Sequence, residues 1–308
     1  MIVVGAGLSG LVAAHAFPHA RIVEAAPAPR QTHAALLRFR SEVVANLIGV
    51  EFRRVRVHKG IWFGGRFHAP DIRLANWYAL KTIDHISDRS IWDIDTVDRF
   101  IAPESLYEDL VGKLATRIQW GYRVENFAHL RSSLGMAEDV PILSTMPMVF
   151  ALRAAGIDHA AMTFSRAPIA VRRVRLANCD VFQTVYFPDP EVSTYRASIT
   201  GSLLTMEGTT NEQFHGDAEL DAVLRAFGDP KVVEALPNHT QHYGKIAPID
   251  EHKRKSAMFQ LTYGHRVYSI GRYGVWKNIL LDDVIQDLAV VRKLITAANF
   301  YDQHLQLK

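Results

Sequence analysis

One cysteine, Cys179, stands among 308 residues. That excludes an internal disulfide framework and any zinc or iron–sulfur site built on several thiolates. No apolar run reaches the ~20 residues that a membrane-spanning helix needs, and neither low-complexity tracts nor internal repeats occur. Neither sign of charge dominates: 35 Lys and Arg against 32 Asp and Glu leave a formal +3. Such a balance permits a polyanionic partner without demanding one. The chain opens on Met1-Ile2-Val3-Val4 with no basic segment ahead of it, so no secretion signal, no membrane partner and a cytoplasmic location are expected. No metal site is expected. With 48% hydrophobic residues the chain can bury a large core, as two domains or one large α/β unit carrying a smaller one.

The first thirty residues hold the sharpest pattern. Ile2-Val3-Val4 reads as a short buried strand and runs into Gly5-Ala6-Gly7-Leu8-Ser9-Gly10 and then the apolar helix Leu11-Val12-Ala13-Ala14-His15-Ala16-Phe17, stopped by Pro18. Strand, glycine turn and helix form the context that gives GxGxxG its meaning as a dinucleotide site. Gly5 permits the tight turn, Gly7 lets a pyrophosphate approach the backbone, and Gly10 lets helix and strand pack closely. A second strand, Ala20-Arg21-Ile22-Val23, ends at Glu24, fourteen residues beyond Gly10. There a carboxylate, followed by Ala25, can accept the two hydroxyls of an adenosine ribose.

A strand and glycine turn recur near the other end, in Val267-Tyr268-Ser269-Ile270-Gly271-Arg272-Tyr273-Gly274-Val275-Trp276-Lys277-Asn278, before an amphipathic helix from Ile279 to Leu288. This resembles the amine-oxidase and UDP-galactopyranose-mutase group of FAD enzymes, in which a Gly-Arg…Gly-x-Trp/Tyr turn and a following helix return to cover the flavin. The resemblance implies FAD as cofactor, contacts from Gly271, Arg272, Trp276, Lys277, Asn278 and Ile279, and an acidic residue in the helix start at Asp282. The N-terminus of that helix would stabilise negative charge on a reduced flavin. Between the two ends, a helix at 105–114, a short strand ending in Val124, and the apolar strand closed by Thr145-Met146-Pro147 follow the same order. The resemblance implies that Val124 contacts adenine and that Thr145 and Met146 lie beneath the dinucleotide. One departure stands out. Where these enzymes carry Gly-Gly-Arg after the acid, this chain has Ala25-Ala26-Pro27, leaving Arg38 or Arg40 as replacement.

The expected fold is α/β: a Rossmann-type FAD-binding domain over 1–41, 104–150 and 255–308, with an inserted antiparallel-sheet substrate domain over 42–103 and 151–254. Phe52 to His68 reads as a hairpin, and strands are expected at 171–176, 181–189 and 195–201. One or two helices are expected around 217–227 and 230–236. Between positions 38 and 66 stand seven Lys and Arg against Glu42 and Glu51, with Trp62, Phe63, Phe67, Trp77 and Tyr78 interleaved or following. Such a stretch either meets a phosphate-bearing substrate, its aromatics stacking on bases, or is an ordinary solvated face beside core aromatics.

His33-Ala34-Ala35-Leu36-Leu37-Arg38-Phe39-Arg40-Ser41 and the segment from Arg54 to Trp62 also resemble flavin-dependent oxidoreductases of tailed bacteriophages, some of them from thymidine hypermodification. That implies trimming of a glycine adduct on thymine to 5-aminomethyluracil, with DNA or a smaller modified nucleotide as substrate and the host cytoplasm as location. For such chemistry Tyr195 and Arg196 are candidates to bind a carboxylate or phosphate, and His58 or Lys59 to move a proton or position water. Competing readings are a mutase-like enzyme on a nucleotide sugar, a nucleic-acid-binding module with an inert nucleotide pocket, and a plain NAD dehydrogenase. The oligomeric state is not legible.

Overall fold

The computed structural model describes residues 1–31, 33–84, 86 and 91–306, with side chains through 298. The first half contains β1 (Ile2–Val4), α1 (Leu8–Ala16), β2 (Arg21–Glu24), α2 (Val43–Ile48), β3 (Arg53–Phe63), β4 (Arg66–His68) and α3 (Ile72–Ile83). It continues with β5 (Val97–Ile101), α4 (Leu106–Leu114), β6 (Ile118–Trp120), α5 (Phe127–Ser133), β7 (Ile142–Ser144) and α6 (Met148–Ala155). Then follow β8 (Arg166–Leu176), β9 (Val181–Tyr186), β10 (Thr194–Gly201), β11 (Leu203–Gly208), α7 (Asp217–Arg225), β12 (Val232–Ala235) and β13 (His239–Ile246). The chain closes with α8 (Glu251–His265), β14 (Val267–Ser269), the single turn α9 (Gly271–Gly274) and α10 (Leu281–Gln306).

Five strands form a parallel sheet in the order β14-β7-β1-β2-β6. Ile2, Val3 and Val4 are all buried, as a strand covered on both faces requires, and each such side chain contributes roughly 1.5–3 kcal/mol. Helix α1 buries Leu11, Val12, Ala13, Ala14 and Ala16 against this sheet and α10. Its last carbonyls are not left to water: Arg117 donates to the oxygens of Ala14, Phe17 and Ala20, and Arg292 to that of Ala16. Helix α2, within the stretch that sequence spacing assigned to the substrate unit, lends Val44, Ala45 and Ile48 to the same core.

The second sheet runs β12-β8-β11-β10-β9-β3-β4, with β13 also on β8 and β5 also on β3. It is mixed and not purely antiparallel, because β3 pairs parallel with β9 from His58↔Gln183 to Ile61↔Tyr186. The chain enters this sheet twice, before and after α4–α6, and the two visits meet side by side in the same direction. A second correction concerns 230–236. Gly228 and Asp229 take positive φ, Pro230 follows, and the β-branched Val232-Val233 pair starts a strand where a helix was an expected possibility. One face of the sheet is apolar: Ala170, Val174, Val185, Ala197, Ile199, Leu204 and Met206 pack on Phe214 and on Leu220, Val223 and Leu224 around α7. Among the described residues no helix is long and apolar enough to cross a membrane.

Candidate active site

The glycine turn is built from backbone that no side chain could replace. Gly5 sits at φ +102°, and a Cβ there would lie 2.2 Å from Thr145 Oγ1. A Cβ on Gly10 would lie 1.9 Å from the Gly5 carbonyl oxygen, so only glycine lets α1 lie this close to the end of β1. Gly7 is the contrast: it is exposed, and a Cβ would meet nothing within 4 Å. Helix α1 begins at this bare turn without a side-chain cap, leaving first-turn N–H groups and a partial positive charge for an anion. Leu8 and Ser9 stand half-buried beside it.

Glu24 closes the other side. Its Oε2 accepts from the Ala6 N–H at 2.7 Å and its Oε1 from the Ala26 N–H at 2.9 Å. Each carboxylate oxygen keeps capacity for a further donor, so a hydroxyl-accepting role remains open to it. The turn, Glu24 and Ala25, with Tyr122, Val124, Thr145 and Met146, line a cleft of about 600 Å³. Strand β6 stops at Trp120, so Val124 lies beyond it on a loop, and the Tyr122 N–H donates to the Glu24 carbonyl at 2.8 Å to hold that loop against the cleft.

The two ends of the chain meet here. A Cβ on Gly271 would lie 2.8 Å from Ser9 Oγ, and one on Gly274 would lie 2.9 Å from the Ser144 carbonyl oxygen. Arg272 reaches Asn278, its Nη2 donating to Oδ1 at 2.8 Å, while its Nε is buried without a partner. Trp276 corrects the sequence reading. At φ +48° its indole lies in the core, donates to the Ala247 carbonyl at 3.0 Å and packs edge-on against Phe164, leaving 2% exposed. Lys277 is exposed and Ile279 joins the α1–α10 core, so neither lines the cleft. The N-terminus of α10 is tied to the segment after β2. It begins at Leu281, after α9; Asp282 accepts from the backbone of Arg40 and Ser41, and Asp283 from the Leu280 N–H while pairing with Arg40.

Above the glycine turn the second sheet presents its polar face. Strand alternation and the pairings Arg196↔Tyr186 and Arg196↔Glu207 put Thr184, Tyr186, Arg196, Ser198, Thr205 and Glu207 on one side. The segment after β2 docks onto that side: the Leu36 N–H donates to Glu207 Oε1 at 2.8 Å. Glu207, 1% exposed, takes Arg196 on its other oxygen, with Nε at 2.8 Å and Nη2 also in contact. Burial works to raise the Glu207 carboxyl; Arg196, Lys245 and the Leu36 N–H outweigh it and hold the group below the ordinary carboxylate range. Tyr195 sits at a register shift of β10, 2% exposed, with Lys245 Nζ 4.3 Å from its ring centre. Its hydroxyl has no partner, and burial first, then Glu207, pushes its pKa well above 10. His33 brings a further buried atom without a partner, Nε2.

The four residues proposed from sequence for catalysis do not form one constellation. Tyr195 and Arg196 are in this ceiling, but Arg196 spends its fork on Glu207. Neighbouring positions of β3 point to opposite faces: His58 is exposed on the far side, its Nδ1 3.3 Å from Thr96 Oγ1, while Lys59 is paired with Asp93 at 3.3 Å. Arg38 is also corrected. Its guanidinium donates to Thr184 Oγ1 at 2.8 Å, the Ile199 carbonyl at 2.7 Å and Thr200 Oγ1 at 2.9 Å, stapling β9 to β10 instead of facing the cleft. With Arg40 on Asp283, neither replaces the missing phosphate arginine. Glu207 and His33 escaped the sequence reading; the only signal for Glu207 was polar residues at alternate positions of strands otherwise apolar, and His33, on a loop, had none.

No family model and no curated protein matches the chain. Solved structures do. A reduced UDP-galactopyranose mutase superposes with a TM-score of 0.69 at 13% identity, over 96% of this chain and 95% of that one. PF1083 from Pyrococcus furiosus superposes with a TM-score of 0.57 at 11% identity, over 96% and 97%. At these identities the likeness is one of fold, and it spans both sheets: this chain has the fold of UDP-galactopyranose mutase, a parallel nucleotide-type sheet carrying a second, mixed sheet.

Proposed function

We propose that the protein is an FAD-dependent oxidoreductase that oxidises a C–N bond of an amine. The observation that carries the flavin assignment is the packing of Gly271 on Ser9 and of Gly274 on Ser144, at separations only glycine allows, beside the cleft that Gly5, Gly7, Thr145 and Met146 line. The residues fit the group. Bare backbone at Gly7 and the open start of α1 suit a pyrophosphate, Glu24 suits the ribose hydroxyls, Val124 suits the adenine, and Thr145 and Met146 suit a place beneath the dinucleotide. FAD, when bound, supplies the acceptor for a hydride. The chain's own part is to hold the substrate beneath the polar ceiling, keep its nitrogen neutral, and admit the water that splits the resulting imine into a carbonyl compound and a smaller amine. The specific substrate we favour is a glycine adduct on thymine, free or in DNA, trimmed to 5-aminomethyluracil; it rests on the bacteriophage resemblance.

Purification tests the cofactor: we expect yellow protein with oxidised-flavin bands, and a colourless protein that FAD does not reconstitute would sink the proposal. Mass analysis of nucleosides from glycine-modified DNA before and after incubation tests the substrate. The TM-score of 0.69 favours a second reading, a mutase-like enzyme on a nucleotide sugar. Turnover that requires prior reduction and consumes no oxygen would select it.

A further inference from the structure

An amine at neutral pH carries a proton, and its C–H bond gives up hydride only once the nitrogen lone pair is free. The amine-oxidising reading, on which this inference rests, therefore needs a base; His58 is on the far face and Lys59 is paired with Asp93. His33 lies in the segment that docks beneath the ceiling. One ring nitrogen makes a hydrogen bond with the Ala35 backbone, and the other, Nε2, is buried without a partner. The charged groups that bear on it come from three elements: Glu207 of β11, Arg196 of β10 and Arg272 of α9. Burial first, then Arg272 and Arg196, lowers the ring below the ordinary imidazole value, against the pull of Glu207 and the Ala35 backbone. The lowered value favours the neutral ring, and the bond to the Ala35 backbone leaves Nε2 as the free nitrogen. Two more buried atoms without partners belong to this cluster: Oη of Tyr195, which interacts with Glu207 and Arg272, and Nε of Arg272, which interacts with His33. Both are donors, suited to an oxygen of the same substrate.

We propose that His33 is the base that takes the proton from the substrate's ammonium nitrogen. The proton moves from nitrogen to Nε2, leaving a neutral amine and an imidazolium near Glu207. Loss of hydride from the adjacent carbon gives an iminium; water adds and the C–N bond breaks, so that the product leaves as an ammonium ion with a carbonyl partner. The proton on His33 passes to bulk water, which balances charge.

The test uses purified FAD-loaded protein and its His33→Gln variant, with N-benzylglycine and the glycine-modified thymidine nucleoside as probes. Anaerobic flavin bleaching at pH 7 should fall about 100-fold in the variant. Its acid limb should move up to the amine's own pKa, and its rate should rejoin wild type near pH 10, which also reports that the variant is folded. Wild-type bleaching matched by His33→Gln with the same pH dependence overturns the proposal alone. Wild-type flavin that neither amine bleaches overturns the amine reading, and the proposal with it. Nitrogen-15 NMR of the wild-type ring provides a readout independent of turnover. A ring protonated on Nδ1 and titrating below the ordinary value is expected; one titrating at or above it, or protonated on Nε2, overturns the proposal.

Discussion

The two sheets build their halves of the site by different means. In the parallel sheet the site is backbone: a turn of six consecutive residues in which Gly5 and Gly10 are dictated by contacts of 2.2 and 1.9 Å that a Cβ would make. In the mixed sheet it is side chains joined across long sequence distances, Leu36 to Glu207 over 171 residues and Arg38 to Ile199 over 161. Backbone sites leave a spacing in the sequence, whereas side-chain sites leave only residue types whose partners depend on register. The mixed sheet should also be the half where a single substitution costs most, because a buried charge removed there strands another.

Glu207→Leu is expected to have the largest effect, about 3–5 kcal/mol, since it leaves the Arg196 guanidinium without its counter-charge and the Leu36 N–H without an acceptor. Denaturant titration reads it. The sign with pH follows from the depressed carboxyl: its stabilisation is present above the unfolded value of 4.5 and is lost as pH falls through the lower folded one. Wild type and variant should therefore converge in acid. A constant gap from pH 7 to pH 3 would show that Glu207 acts through packing alone.

In the parallel sheet, Gly10→Ala should cost about 3 kcal/mol, because the atom it strikes is a carbonyl that cannot rotate away. Gly7→Ala should cost under about 1 kcal/mol yet weaken flavin retention, since its methyl enters only the open cleft. Thermal unfolding and flavin absorbance, read on both variants, separate the two roles. Equal loss of stability at both positions would break the distinction between a packing glycine and a ligand-facing one.

What sequence spacing made legible matches this division. Gly5, Gly7, Gly10, Glu24, Thr145 and Gly271 lie where the motif puts them because strand, turn and helix are local, and the fold class follows from their order. Trp276 shows the limit: the turn was found, but its left-handed backbone, visible only in the structure, sends the indole into the core. The four-residue turn α9 and the parallel entry of β3 beside β9 depend on where distant segments come to rest, so spacing is silent on both. His33 was within a noticed segment, yet nothing in its neighbours along the chain tells of Glu207 and Arg272 around it.

A smaller effect is expected where α3 meets the mixed sheet. Lys81 Nζ donates to the carbonyls of Phe187, Asp189 and Thr194 at 2.8, 2.7 and 2.7 Å, closing the connection from β9 to β10. Lys81→Met should cost about 2 kcal/mol near pH 7 by leaving those oxygens unpaired. Burial pushes the ammonium down to about 7, with Glu219 and Asp189 resisting. Between that value and the ordinary 10.5 the unfolded chain binds a proton that the folded chain lacks, so wild-type stability gains with pH and the gap to the variant widens toward pH 10.

The smallest effect belongs to the charges that look most conspicuous in the sequence. Arg54 pairs with Asp98 at 2.5 Å and Arg53 with Asp180 at 3.1 Å, all four side chains about half or more exposed. Solvent screens such pairs, and ordering two long side chains offsets what attraction remains. Arg54→Ala should leave thermal unfolding unchanged within error. It bears on the partner as well as on stability: if DNA is drawn to β3 by these arginines, the Arg53→Ala, Arg54→Ala double variant should bind a modified duplex more weakly and with a shallower salt dependence. If the substrate is a small nucleotide held beneath the ceiling, the same variant should keep wild-type bleaching rates, because β3 alternation turns neighbouring side chains to opposite faces and the acids already occupy these two.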